Sequence, residues 1–426
     1  MKPYASYKPS GVPWLGDIPA HWRVVPLKFF LKSLSGGSTI KNTVAHEYVP
    51  GLFPAFSASG QDVWMEDYEF DSPGIVVSAV GARCGKTFRA DGKWGTVANT
   101  HVLLPAEGSC RDYFWYLTND ENFWEKGGTA QPFVKVSSTL AKKVAVPSPD
   151  EQQAIAGYLE AETARIDTLI HEKDELIGLL REWRQSVIAE YTSGATQSQG
   201  RKATGNVHMP WIPSDWSMVR LGKYARIGNG STPLKDNASY WEGGTFPWLN
   251  SAVVNRDAVD EGSEYVTEVA LRACHLPIVE PGALLVALTG QGKTRGQVTV
   301  LRIQATINQH LAYLALDEAR FDANFLFWAL TGMYAALRMV SDGQGGTKGA
   351  LTCDDLARFE VPMPSLTVQQ EIASAVSRET TKIDDLIAHT HDEITLLKEL
   401  RAATIADAVL GRIDVRGSAK TIAACA

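Results

Sequence analysis

Two stretches of the chain place apolar residues with a helical period. In the first, Ile155, Leu159, Ile166, Leu169, Leu176, Leu180, Trp183, Val187 and Tyr191 recur at threes and fours; in the second, Ile372, Val376, Ile383, Leu386, Ile394, Leu397, Leu400 and Ile405 do the same. A mean period near 3.5 held over four to five heptads predicts two coiled-coil helices, each about 40 residues or roughly 60 Å long. Proline cannot sit inside a helix, so Pro147 and Pro149 before the first run, and Pro362 and Pro364 before the second, mark where helices begin. Gly194 and Gly411 mark the ends, where a left-handed cap costs glycine little. Two such rods in one chain are expected to pair, antiparallel.

Between the helices the pattern breaks into short runs. Residues 23–146 and 217–361 are rich in Gly, Pro, aromatic and β-branched residues, with apolar runs at 74–80 and 283–288. These predict mixed domains of many short strands and a helix or two. Phe114 to Leu117 and Phe325 to Leu330 are expected on helices as core faces. The fold class is therefore α+β: two mixed domains joined by two long antiparallel coiled-coil helices.

The chain also repeats itself. Ile18-Pro19-Ala20-His21-Trp22-Arg23-Val24-Val25-Pro26-Leu27 returns 194 residues later as Ile212-Pro213-Ser214-Asp215-Trp216-Ser217-Met218-Val219-Arg220-Leu221, and Val146-Pro147-Ser148-Pro149 with Gln152-Gln153 returns as Val361-Pro362-Met363-Pro364 with Gln369-Gln370. An internal pseudo-twofold repeat follows. Its boundaries are a globular segment at 1–148, a long helix at 149–194, a polar linker at 195–210, a second globular segment at 211–364, a second long helix at 365–412, and a tail at 413–426.

A net charge of −7 argues at first against a nucleic-acid partner, because phosphates demand cations. Regional counts remove the objection. Residues 22–147 hold 13 Lys/Arg against 12 Asp/Glu, and 216–362 hold 13 against 15; the excess acid lies at 150–200, with 4 against 10, and at 365–415, with 5 against 9. No apolar stretch is long enough to span a bilayer and the N-terminus lacks an apolar signal core, so a cytoplasmic protein without a membrane partner is expected. Five cysteines are scattered with no CxxC pair, which argues against a zinc site; Cys274-His275 has no second ligand pair near it.

Gly-rich turns carry the candidate chemistry. Gly228-Asn229-Gly230-Ser231-Thr232-Pro233 has a counterpart in Ser35-Gly36-Gly37-Ser38-Thr39-Ile40. A glycine–basic turn recurs as 81–87 and 290–296, and a later glycine turn as 127–131 and 345–349. Ala287 to Thr294 nearly matches a phosphate-binding loop, but such a loop must feed a helix, and the continuation Gln297-Val298-Thr299-Val300-Leu301 is strand-like. No methyltransferase or nuclease signature is present. His101, His275 and His310 lie in or beside apolar runs and are expected to be structural.

The opening Tyr7 to Trp22, together with the two Val-Pro-x-Pro…Gln-Gln helices, resembles the specificity subunit of type I restriction–modification enzymes, over nearly the whole chain. The resemblance implies two target-recognition domains, each reading one half of a bipartite, asymmetric DNA site. It also implies helices that set the spacing and dock two methyltransferase subunits, with restriction subunits joining through the complex. The chain itself would be non-catalytic and without cofactor, S-adenosylmethionine, ATP and Mg being bound by partner subunits. Base edges are read by Arg or Lys on guanine and Asn or Gln on adenine, with hydroxyls more flexible. The candidates for DNA contact are Arg83, Lys86, Gln131 and Lys135 in the first domain, and Ser231, Thr232, Lys235, Gln291, Lys293, Arg295 and Lys348 in the second. Trp183 and Tyr158 are candidates for methyltransferase docking. A nucleotide-binding protein using the turn at 287–294, and a coiled-coil scaffold without DNA binding, remain as alternatives.

Overall fold

A computed structural model describes residues 2–39, 44–197, 200–290, 292–342 and 349–417. The chain divides into two compact units, residues 1–173 with 392–426, and residues 174–391. Two helices of 44 residues each, Pro149–Thr192 and Leu366–Val409, contribute one half to each unit.

In the first unit the two helices run antiparallel. Arg401 Nε and Nη2 donate to the two carboxylate oxygens of Asp167, at 2.8 and 3.1 Å, and Lys173 pairs with Glu393. Numbers that rise along one helix fall along the other. In the second unit Arg184 grips Asp384 (2.9 Å), and Leu180, Val187 and Ile383 bury a small seam. The apolar period locates the helices but not every seam position. Leu176, Trp183, Leu386 and Leu400 are exposed, while their chain neighbours Ile177, Arg184 and Ile387 face inward. Where two large apolar residues are adjacent, a period of 3.5 fits either, and only the partner helix decides. Tyr158, expected at an outer face, is buried in the core of the first unit.

The repeated motifs are the frame of each unit. Strand Arg23–Pro26, from the entry motif, pairs antiparallel with Lys143–Val146, from the Val-Pro stop, aligning Val24 with Ala145. In the second unit Ser217–Arg220 pairs with Glu360–Met363 in the same way. These strands open and close the globular part. The retained glutamine completes the joint. Gln152 is buried, accepts from Cys110 N (3.0 Å) and donates to Pro147 O (3.1 Å). Gln369, also buried, accepts from Asp322 N (2.8 Å) and donates to Pro364 O (3.0 Å) and Arg320 O (2.8 Å). One amide thus ties the proline stop to the first turn of helix Arg111–Thr118 or of helix Ala323–Gly332. Both helices bury their aromatic runs, as the sequence predicts.

Among the described residues each unit holds two sheets of three or more strands, besides its two-stranded pairs. In the first unit these are an antiparallel sheet ordered Leu31–Ser35, Thr100–Pro105, Gly74–Ser78, Thr87–Ala90, and a mixed sheet in which Lys93–Thr96 lies parallel to Phe53–Ser57. The second unit has a five-stranded sheet ordered Ala225–Asn229, Leu311–Leu316, Leu284–Ala287, Val298–Leu301, Ala258–Val259, and a smaller one in which Phe246–Leu249 lies parallel to Thr306–Ile307. Trp22, Tyr113 and Phe114 centre one core; Trp216, Phe321 and Phe325 centre the other. Each side chain of that size is worth about 1.5–3 kcal/mol when buried.

Part of the polar linker expected at 195–210 is a strand. Arg201–Ala203 forms a hairpin with Trp211–Pro213, matched residue for residue by Tyr7–Pro9 with Asp17–Pro19 in the first unit. The described part of the tail is also built in, with Val415 fully buried and Asp414 N donating to Lys2 O (3.0 Å). Arg89 docks the first unit's sheet on the long helix through Glu160 (2.6 and 3.3 Å). Arg89 holds the Glu160 carboxyl below the usual range, and burial pushes the neighbouring Tyr116 hydroxyl up to about 12.

Candidate nucleic-acid interface

Glycine turns gather at one end of the antiparallel sheet in the first unit and of the five-stranded sheet in the second. In the second unit strand 225–229 ends there, strand 284–287 ends there, and strands 298–301 and 311–316 begin there. Three loops therefore meet, at 230–233, 288–297 and 308–310. Backbone bonds hold them: Gly230 N donates to Asn308 O (3.3 Å) and Leu288 N to His310 O (2.9 Å). Gly230 must be glycine, because a Cβ there would lie 1.7 Å from Ile307 O.

The turn beginning at Gly290 joins two antiparallel strands, with Val286 opposite Val298. No helix follows it, so the phosphate-loop alternative lacks the helix N-terminus it needs. The turn leans on helix Tyr334–Asp342: the Tyr334 hydroxyl donates to Lys293 O (2.8 Å) and Arg338 donates to Gly292 O. Lys293 is exposed at its tip. Arg295 is not; it is 6% exposed and donates to Gly349 O, so it holds the following chain in place and presents no free guanidinium outward. Thr232 is exposed and donates to Gln309 Oε1 (2.6 Å), whereas Ser231 is half-buried, its hydroxyl 3.5 Å from Cys274 O. Lys235 pairs with Glu264 and lies over the rings of Trp241 (3.7 Å) and Trp248 (4.7 Å), which anchors the 231–235 loop. Gln291 and Lys348 lie outside the described residues.

The first unit builds the same end with other side chains. Gly36 N donates to Thr100 O (2.9 Å), Gly37 N to Thr96 Oγ1 (2.9 Å), and Ala79 N to Asn99 O (2.9 Å). Arg83 and Lys86 are exposed on the turn between strands Gly74–Ser78 and Thr87–Ala90. Gln131 is exposed on the loop that runs beside them, where Gly81 N donates to Pro132 O (2.8 Å). Lys135 is half-exposed and paired with Glu125 (3.3 Å). The structure thus brings Arg83, Lys86 and Gln131 together in one unit, and Thr232 and Lys293 in the other.

Sequence reasoning missed residues at both ends. Asn99 is exposed with φ 68°, and His310, expected to be structural, is exposed beside Gln309 and Thr289. Asn99 and His310 occupy one position of the frame, since each carbonyl accepts from the residue directly after the matching strand, Ala79 after Gly74–Ser78 or Leu288 after Leu284–Ala287. The sequence hides this. Aligning Asn99-Thr100-His101 with Asn308-Gln309-His310 pairs the wrong residues by two. Among the described residues no His, Cys, Asp and Glu cluster could hold a metal ion, and no helix is long and apolar enough to cross a membrane.

The frame is duplicated, and its loops carry different polar side chains in the two copies. The type I restriction modification DNA specificity domain matches residues 19–177 and again 213–396, and the chain belongs to that family. It is similar to the type I restriction enzyme EcoDI specificity subunit of Escherichia coli, 22% identical with 95% of this chain and 91% of that one covered. It is also similar to the putative MjaX specificity subunit of Methanocaldococcus jannaschii, 24% identical over 94% and 96%. Two solved structures share the fold. One is a chain from work on assembly and conformational transition of the type I R-M system (TM-score 0.71, 16% identity, 93% and 99% covered), the other the HsdS subunit of Thermoanaerobacter tengcongensis (TM-score 0.53, 17%, 93% and 98%).

Proposed function

We propose that this chain is the DNA-reading subunit of a type I restriction–modification complex, each unit reading one half of a bipartite, asymmetric site. The carrying observation is that one frame ends in the same three loops twice, with Arg83, Lys86 and Asn99 exposed in one unit and Lys293, Gln309 and His310 in the other. Two different readers on one frame suit a site with two unlike halves. The paired helices set the gap between the half-sites and dock two methyltransferase subunits. For docking, Leu176, Leu179 and Trp183 supply an apolar stripe at spacings of three and four, 40, 63 and 53% exposed. Restriction subunits join through that complex. The chain catalyses no step and holds no cofactor; S-adenosylmethionine, ATP and Mg belong to the partner subunits.

Mapping methylated adenines in the host genome with and without this gene tests the function. Loss of one bipartite motif on deletion is the expected result. An unchanged methylation pattern, together with no shift of DNA by the chain in complex with its methyltransferase, favours a scaffold instead.

A further inference from the structure

The second unit carries an open cavity of about 420 Å³ between its entry hairpin, the last turn of helix Pro149–Thr192 and the start of helix Tyr334–Asp342. Met209, Met333 and Ala336 are its buried lining, while Trp211, Arg201 and His208 are exposed around it. The size falls in the range of ligand pockets, roughly 300–1,000 Å³.

The first unit fills the same place with its own rings. The two hairpins match residue for residue, and loops of equal length are closed by the same bond, Ser10 N to Gly16 O (3.1 Å) and Thr204 N to Pro210 O (3.0 Å). His208 therefore stands where the first unit has Trp14. Trp14 packs edge-on against Phe123, 6.3 Å between ring centres, on the chain that follows helix Arg111–Thr118. The chain that follows helix Ala323–Gly332 presents Met333, Ala335 and Ala336 to the cavity instead. Where one unit sets two aromatic rings together, the other surrounds open space with apolar side chains. Covering such walls recovers roughly 25 cal/mol for each Å² of apolar surface taken from water, and a single ring seated in a pocket is a common anchor of protein interfaces.

The cavity continues the apolar stripe of the long helix. Glu190, which lines it, lies two turns beyond Trp183 on the same helix face as Leu176 and Leu179. Resting on the methyltransferase docking proposed above, we propose that the cavity seats one aromatic side chain of the methyltransferase subunit. That ring supplies from the partner what Trp14 supplies from within the first unit. The two copies of the frame thus differ in docking as well as in their loops, since the first already holds its own ring.

The test titrates the full chain with its methyltransferase at fixed salt and records the melting temperature of the free chain. His208→Trp combined with Ala335→Phe fills the cavity with the first unit's two rings, and is expected to weaken assembly by roughly 30-fold with the melting temperature unchanged or raised. Val269→Trp, an exposed ring that does not line the cavity, leaves both unchanged. Benzoylphenylalanine in place of Trp211 is expected to photo-cross-link the methyltransferase at a segment containing Trp, Tyr or Phe, and this arm decides if the filled chain melts lower than wild type. Alanine at that aromatic position of the methyltransferase weakens assembly with the wild-type chain and has no further effect on the filled one. If the filled chain is stable and assembles as tightly as wild type, or the cross-link is missing or falls on a segment without an aromatic residue, the cavity assignment is overturned while docking along the helices stands. A methyltransferase that does not bind the wild-type chain overturns the docking, and this assignment with it.

Discussion

Gly411 lies so close to Pro19 that a Cβ on it would sit 2.6 Å from the proline Cδ, with Trp22 only slightly farther away at 3.0 Å. Its φ of 71° is the left-handed region, and Gly194 repeats both features against Pro213 and Trp216. Each long helix therefore ends where the Ile-Pro…Trp motif stacks on its cap. Gly411→Ala and Gly194→Ala add backbone strain and a collision at once, and each is expected to destabilise by about 1–3 kcal/mol. The readout is a lower denaturant midpoint at unchanged slope; a shift within error argues that the cap is loose.

Gln369 ties three backbone groups of the second unit together. Replacing it with alanine leaves buried groups unpaired, at about 1–3 kcal/mol for each that water cannot reach. Gln369→Ala is expected to lower the melting temperature clearly, and Gln370→Ala, whose side chain is exposed, to leave it unchanged. Equal effects from the two would remove the joint assigned to Gln369.

Lys293 is exposed at the tip of its turn, whereas Arg295 is buried beneath it. Lys293→Ala is expected to weaken cognate DNA binding by about 1–3 kcal/mol at constant thermal stability. Arg295→Ala loses the bond to Gly349 O and is expected to lower stability as well. Identical profiles in paired binding and melting experiments would contradict this division.

Glu160 gives a pH signature. Its folded carboxyl is held low, first by Arg89, so the contribution is full above the ordinary carboxylate pKa and fades as pH falls through the depressed folded value. Wild type is expected to exceed Glu160→Gln in stability near neutral pH, by less than about 1 kcal/mol because the pair is half-exposed. The gap should close in acid. A gap that widens on acidification has the wrong sign.

The facing pair Lys173 and Glu393 marks where the rods can be lengthened together. Four residues inserted after Lys173 and four after Asp392 add roughly 6 Å to each helix. The preferred gap between half-sites is expected to grow by about two base pairs, with both half-sites unchanged. New half-site sequences at the old gap would disprove the spacing role.

The two rods, their proline starts and glycine ends, the strand-rich segments and the absence of a helix after Gly290 were legible in the chain, because each is a local preference written in consecutive residues. The seam was legible only in part. Leu176 and Ile177 satisfy the same period, and the partner helix chose Ile177. Charge and flexibility pointed to Lys293, Arg83 and Lys86, which are exposed, but also to Arg295, which is buried. Nothing local distinguishes them, since burial depends on chain that lies far away in sequence.

By itself the sequence determined a duplicated frame, two long helices and the loops where chemistry could gather. Only the tertiary structure decided which side chains those loops present. Strand register made Asn99 and His310 equivalent where the letters align otherwise, and register is fixed by the hydrogen bonds of neighbouring strands, not by the residues of one strand.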